Sequence, residues 1–327
     1  VPPPAAGGGT VPHEGGRVTR TATPRVAPLP GAAHAARRRS PLRRSRWAGL
    51  AFVALPLLVY TTAMLIPIGT SFWYSFWKWD GHTQATWAGL SNYVQFVTDP
   101  TLVSTLTHVL VLVFFFALLP VILGLISAAL ITRRRLPGMA VFRFIYFLPQ
   151  VLTSVVVALV FKRLYGPEGP INQALRAIGL DSWTRSWLGD FDWALPALGL
   201  IGTWGGFGFS MVLFISGVSS IPTELYEAAR VDGAGPIREF FSVTLPGLRG
   251  QIAVALTLTV TGALRTFDLV WITTRGGPGT STLTPAVALY KAAFQNPQVG
   301  LAAAIGIVMA VLCLLIAILI GRIAERD

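Results

Sequence analysis

The chain has one cysteine, four histidines, four methionines and only 12% charged residues over 327 positions. Each shortage excludes something. A single cysteine, Cys313, set in an apolar run, rules out an intrachain disulfide and reads as plain packing. The histidines (His13, His34, His82, His108) are scattered without metal-ligand spacing, so no metal site is expected. No Gly-x-x-x-x-Gly-Lys-Ser/Thr run occurs, so this chain carries no phosphate-cradling loop and any ATPase must be a separate protein. A soluble domain carries about 25% charged residues. With 12% charged and 53% hydrophobic residues, the chain cannot cover a water-facing surface and suits lipid as its solvent.

The formal net charge of +12 does not point to nucleic acid, because of where the charges lie. Nine of the 26 basic residues fall in the first 46 positions and most others in short connections, the distribution of topology-setting charges. No basic–aromatic surface of the nucleic-acid type is present, and no nucleic-acid partner is expected. Residues 1–46 are rich in Pro, Gly, Ala and Arg and poor in large apolar side chains, which predicts a disordered basic tail. The tail is too long for a secretory signal, and the apolar run after it is long enough to span, so no cleavage is expected. Its arginines, Arg37 to Arg39, Arg43, Arg44 and Arg46, fix orientation, with contact to anionic lipid as the alternative.

Six apolar segments follow, each near the ~20 residues a span needs. They cover approximately Trp47 to Thr70, Val103 to Ile131, Met139 to Phe161, Leu195 to Gly217, Gln251 to Thr273 and Gly300 to Gly321. The fold class is therefore an all-α membrane protein with six transmembrane helices. Kinks are expected at Pro56, Pro67, Pro120, Pro149 and Pro196. Arg133 to Arg135, then Arg230, Arg238 and Arg249, and finally Arg322 and Arg326 join the N-terminal tail on one side, against Lys78, Arg275 and Lys291 on the other. The connection with Lys162, Arg163, Arg176 and Arg185 is the exception. The balance predicts both termini in the cytoplasm.

Trp73, Trp77, Trp79 and Trp87 between spans one and two read as interface anchors, with a sugar-stacking surface as the sharper alternative. A short helix is expected from Ile171 to Ile178. Ionisable groups inside spans are functional candidates, which singles out Arg265 and Asp268 in span five. Three residues apart on a helix, the two can also pair with each other and lock helix packing. Trp204, beside Gly205, Gly206 and Gly208 in span four, offers an aromatic plane for a sugar ring, against simple close packing. Asp190 and Asp192 would be the acidic pair of a membrane-bound glycosyl transferase, but no third catalytic partner lies near them. A secondary transporter would show inverted repeats and broken helices, and no repeat is evident.

The segment between spans four and five, residues 221–250, is too long for a tight turn and too patterned for a linker. Pro222, Thr223 and Glu224 read as a helix start, with an acid in the first turn. Gly233 permits the turn at its end, and Pro236 suits the first position of a second helix. Leu245–Pro246 is expected to stop that helix ahead of span five. Two short helices joined at a glycine make a knob. Ala228 and Ala229 would allow a partner backbone to approach, framed by Glu227 and Arg230. Glu224, Glu227 and Asp232 suit anionic lipid badly, so a protein partner is favoured over an interfacial helix.

Glu227–Ala228–Ala229, then Gly233 after three residues, then Val243–Thr244–Leu245–Pro246 after nine more, resembles the EAA loop of binding-protein-dependent ABC importer permeases. That pattern ends in Ile-x-Leu-Pro, and here only the Ile is changed, to Val. Glu224 to Ala234, Phe147–Leu148–Pro149, Gly169–Pro170–Ile171–Asn172, Phe267–Asp268 and Thr274–Arg275–Gly276–Gly277–Pro278 resemble carbohydrate permeases of the maltose-transporter (MalF-like) type. The resemblance covers about residues 45–322, with the permease domain over 47–322. It implies a bacterial inner-membrane, multi-pass subunit that is no enzyme and binds no cofactor. It implies a heterodimer with a second permease around a sugar path, two ATP-binding cassette ATPase subunits that use the ATP, and an extracytoplasmic sugar-binding protein. It implies that Glu224, Glu227, Ala228, Ala229, Asp232, Gly233, Leu245 and Pro246 couple the chain to the ATPases. Trp204, Arg265 and Asp268 are the residue-level candidates for the substrate path.

Overall fold

The structure is a computed structural model that describes residues 45–132 and 138–325. Almost all of the expected N-terminal tail lies outside the described residues, as do Arg133, Arg134, Arg135 and Arg326. Contacts divide the chain into residues 1–58 and 59–327. In the first unit the described part is helical from Ser45.

In chain order, α1 (Ser45–Tyr60) is followed by α2 (Ile66–Tyr74) and by a hairpin of β1 (Trp77–Lys78) and β2 (Thr86–Trp87). Next come α3 (Ser91–Thr98), α4 (Pro100–Val113), α5 (Leu119–Thr132), α6 (Met139–Val151), α7 (Ser154–Leu164) and α8 (Pro170–Ala177). The remainder is α9 (Ala194–Val218), α10 (Thr223–Val231), α11 (Pro236–Glu239), α12 (Leu245–Gly247), α13 (Arg249–Leu264), α14 (Asp268–Thr273), α15 (Pro285–Tyr290) and α16 (Val299–Glu325). The hairpin, pairing Trp77 with Trp87 and Lys78 with Thr86, is the one exception to all-α among the described residues.

Among the described residues, five helical stretches are long and apolar enough to cross a membrane: Phe52–Tyr74, Pro100–Ile131, Ala194–Val218, Arg249–Thr273 and Val299–Ala324. Met139–Val151 and Ser154–Leu164 form a sixth span only as a pair bent by 97°. The kink expected at Pro149 is thus a full break of the third span. Pro149 withholds a backbone donor inside α6, Leu152 is extended (ψ 139°), and the Thr153 hydroxyl accepts from the Val156 N–H to start α7. The fifth span is interrupted as well, at residues 265–267, where Phe267 leaves helical geometry (φ −121°). The Thr284 hydroxyl donates to the carbonyl of Thr266 that this break leaves free.

Prolines act in a regular way. Four π-turns, Thr61–Leu65, Phe114–Leu118, Phe240–Thr244 and Lys291–Gln295, each end two residues before a proline: Pro67, Pro120, Pro246 and Pro297. In each the residue before the proline donates to the carbonyl five positions back, as Leu119 does to Phe114. Widening the turn makes room for a ring that has no N–H to give.

Helix α9 is the packing centre of the second unit, against α4, α5, α6 and α13. Its residues Leu198, Ile201, Met211 and Phe214 are fully buried. Gly208 permits the crossing with α6, since a Cβ there would collide with the Tyr146 carbonyl oxygen. Between α7 and α9, Asn172 at the start of α8 is buried and organises the connection. Its amide donates to the carbonyls of Gly166, Pro167 and Arg185, and its oxygen accepts from the Trp187 indole at 2.9 Å.

Candidate functional site: a knob between spans and a cavity within them

Residues 222–248 form the knob. Helix α10 starts after Pro222 with Glu224 in its first turn. It ends where the Gly233 N–H donates to Arg230 and the Ala234 N–H to Ala229, with Gly233 at φ +78°. That bond pattern closes a helix only if the turning residue is left-handed, which favours glycine. Pro236 then opens α11, as the sequence predicts. Pro246 does not stop the second segment. The chain stays helical through a π-turn into α12, where Pro246 sits in the first turn, and the break comes at Leu248 (φ −97°, ψ 4°).

Two side-chain contacts close the knob. The Arg230 Nε donates to Glu239 Oε1 at 2.9 Å, and the Tyr226 hydroxyl meets Thr244 Oγ1 at 3.0 Å. Glu239 is buried while the Arg230 side chain is 64% exposed. Arg230, expected to frame a partner contact with Glu227, bonds Glu239 while most of its side chain stays exposed. Nothing in the local pattern marks this pair, although Glu239 is the one acid of the second segment. Of the coupling residues, Glu224, Glu227, Ala228, Asp232, Gly233 and Pro246 are exposed, and Ala229 and Leu245 are half-buried. Glu224, Glu227 and Asp232 take part in no ion pair among the described residues. Helix α10 buries none of its residues.

The second region is a cavity of about 590 Å³ where the two broken spans meet α9. Gln150 and Ser154 reach it from either side of the α6–α7 break, Arg265 and Asp268 from either side of the α13–α14 break, and Gly205 and Gly206 from α9. Arg265 and Asp268 therefore share one cavity. The expected pairing between them is absent among the described residues, because residues 265–267 leave the helix that would have stacked one over the other. Trp204 does not line this cavity; its ring meets Phe161 edge-on at 5.3 Å. The rings at the cavity belong to Phe116, Phe209 and Phe267. A carboxylate, a guanidinium and a carboxamide around glycine backbone can hydrogen-bond a polyhydroxylated solute.

Asp190 holds a turn: its Oδ1 accepts from the N–H groups of Asp192 and Trp193 at 2.9 and 3.1 Å, just ahead of α9. The tryptophans of the first connection pack on one another, with Trp77 and Trp87 at 5.3 Å and Trp73 and Trp77 at 5.9 Å. No group of three or more metal-ligating side chains occurs among the described residues.

Residues 120–326 match the family described as "Binding-protein-dependent transport system inner membrane component". The chain is 37% identical over 268 residues to the probable ABC transporter permease protein YurN of Bacillus subtilis (strain 168), covering 81% of this chain and 92% of that one. It is 35% identical over 283 residues to the diacetylchitobiose uptake system permease protein NgcF of Streptomyces coelicolor, covering 83% and 80%. Among solved structures it is similar to a bacterial alginate ABC transporter in complex with an alginate pentasaccharide-bound periplasmic protein, with TM-score 0.72, 23% identity and coverage of 88% and 98%. At that identity the likeness speaks for the fold.

Proposed function

The chain belongs to the family of binding-protein-dependent transport system inner membrane components, and from that premise we propose that it is one carbohydrate permease of an ATP-driven importer. The family is one of multi-pass transport subunits rather than enzymes, which removes the transferase reading. The broken spans, which a secondary transporter would also show, do not outweigh it. The sugar assignment draws on NgcF, whose substrate is diacetylchitobiose, and on the cavity chemistry of Gln150, Arg265 and Asp268. Trp204 stays in the path only as support for the cavity wall.

The observation that carries the proposal is the knob. Its first helix presents Glu224, Glu227 and Ala228 outward, with Asp232 just after it, on a segment fixed by Gly233 and the Arg230–Glu239 bond. A rigid, exposed element between two spans is suited to transmit a rigid-body movement from a partner. The partner is an ATP-binding cassette ATPase, which uses the ATP. Glu227, Ala228, Ala229 and Gly233, with Glu224, Asp232, Leu245 and Pro246 around them, make the contact. With the loop 221–250 and both termini on the cytoplasmic side, the permease domain over 47–322 pairs with a second permease, and a sugar-binding protein delivers substrate from outside.

Affinity purification of the tagged chain from its membrane tests this. The expected result is recovery of a second permease and an ATPase in stable proportion. Recovery of the chain alone, with sugar uptake driven by an ion gradient, contradicts it.

A further inference from the structure

The two broken spans carry a second cleft at their far ends. Helices α7 and α14 pack together, and the cavity described above takes Ser154 and Asp268 from their starts. A cleft of about 480 Å³ takes Lys162 from the last turn of α7 and Trp271 to Arg275 from the end of α14 and just beyond. Two cations line it and no acid does. Neither Lys162 nor Arg275 is in an ion pair among the described residues.

Arg275 is held in place by its surroundings. It is the one described non-glycine residue with positive φ, at 54°, a region that residues with a side chain avoid. Its N–H donates to the Val270 carbonyl at 2.9 Å, and its guanidinium stands 5.9 Å over the Trp271 ring. The turn after it is tied by the fully buried Thr282, whose hydroxyl meets Thr274 Oγ1 at 2.7 Å and donates to the Gly277 carbonyl at 2.8 Å. Lys291 brings its ammonium beside Gly276 and adds a third positive group. The aromatic surface is already used: Phe267 stacks on Trp271 at 5.7 Å and Tyr290 lies 4.6 Å from it. A sugar therefore finds no free ring face here, and what the cleft offers is fixed positive charge.

Resting on the importer reading above, we infer that this cleft is the seat for surface carboxylates of the extracytoplasmic binding protein. Three observations favour that occupant. The cations are exposed at the ends of their helices, where a protein can reach them. The family depends on a binding protein, and an all-cationic cleft is complementary to an acidic patch. The same α7–α14 seam leads from the cleft to the cavity, so a protein docked on Lys162 and Arg275 releases its sugar in line with Arg265 and Asp268.

The test uses the full assembly in nanodiscs of zwitterionic phosphatidylcholine, with ATP hydrolysis titrated by the sugar-loaded binding protein at low and high NaCl. Lys162→Gln with Arg275→Gly removes both charges, and glycine keeps the left-handed turn unstrained. Neither residue belongs to the coupling loop or the cavity, so hydrolysis without binding protein serves as the folding control. At low salt the half-stimulating concentration of binding protein should rise ~10-fold, with the same maximal rate, since charges at a contact rim act mainly on encounter and salt dependence. Near ~0.5 M NaCl, where charges are screened within a few ångströms, variant and wild type should converge. Lys162→Glu with Arg275→Glu should weaken docking further. Wild-type behaviour of the neutral variant at low salt overturns the inference. So does a defect seen only when phosphatidylglycerol is present, which assigns the cations to lipid, or a raised half-saturating sugar concentration with unchanged docking, which assigns them to saccharide. A wild-type assembly that contains the ATPase but ignores its binding protein overturns the importer reading, and the inference with it.

Discussion

The knob and the cavity each reverse the usual match between a side chain and its surroundings, in opposite senses. The knob lies between spans, yet leaves Leu225, Val231, Ile237 and Phe241 52%, 88%, 77% and 61% exposed. The cavity lies within spans, yet holds Arg265 and Asp268 with no ion pair between them. Exposed apolar patches outside a membrane and unpaired charges inside one are both costly for a chain on its own. On the proposed function each is relieved by a different kind of surface, a protein cleft over the knob and a hydroxyl-rich solute in the cavity. The two are joined by α12 and α13, a continuous path interrupted only at Leu248 and at residues 265–267.

If the knob acts by rigid contact, the largest effect belongs to its hinge. Gly233→Val forces a β-branched residue into φ +78°, a strain of about 1–3 kcal/mol, and should abolish sugar uptake while ATP hydrolysis persists, uncoupled. Normal import by that variant would break the comparison at its first term. Next come the cavity charges. Asp268→Asn and Arg265→Gln should each lower uptake by ~10-fold or more, the size of a lost hydrogen bond to a charged group, without loss of the ATPase on purification. Because both side chains are placed around one solute, the double variant should lose less than the product of the two single losses; strict multiplication would show that they act independently.

A smaller effect is expected at the tie inside the knob. Glu239→Gln weakens a bond whose other partner is 64% exposed, worth about 1 kcal/mol, so retention of the ATPase on a column should fall only severalfold. The smallest concerns a site outside both regions. In the first connection the N–H groups of Thr83 and His82 hold the Asp80 carboxyl at about 2, below its ordinary 3.8. A depressed folded value means the carboxylate stabilises its turn above pH 3.8 and loses that effect as pH falls through about 2. The Trp79 indole donates to the Thr83 carbonyl in the same turn, so tryptophan fluorescence should stay constant from neutral pH to about 4 and change only below it. A shift near pH 5 would contradict the assignment.

The knob was legible in the sequence because its determinants are local: Pro222–Thr223 opens a helix, Gly233 turns it, and Pro236 opens the next. What was misread there, Pro246, failed because a proline can be absorbed by a π-turn instead of ending a helix, and the preceding five residues carry no mark of which will happen. The cavity was legible only in its charges. Pro149 and Thr153 together signal the break in span three once the Thr is read as a cap. The break at residues 265–267 has neither Gly nor Pro, and depends on Thr284 from a distant segment. That Trp204 lies outside the cavity lining was not legible for a related reason: α9 is apolar on every side, so its pattern does not say which face meets the broken spans.

The central claim is that α10 is the surface an ATPase grips. Cys313 is the sole cysteine, so Cys313→Ser gives a background in which one new thiol reports on one position. In that background Ala228→Cys, treated within the purified assembly with a short thiol-to-amine crosslinker, should join the chain to the ATPase subunit, and Ser186→Cys in the connection before α9 should not. Crosslinking to the ATPase from position 186 and none from position 228 would contradict the account.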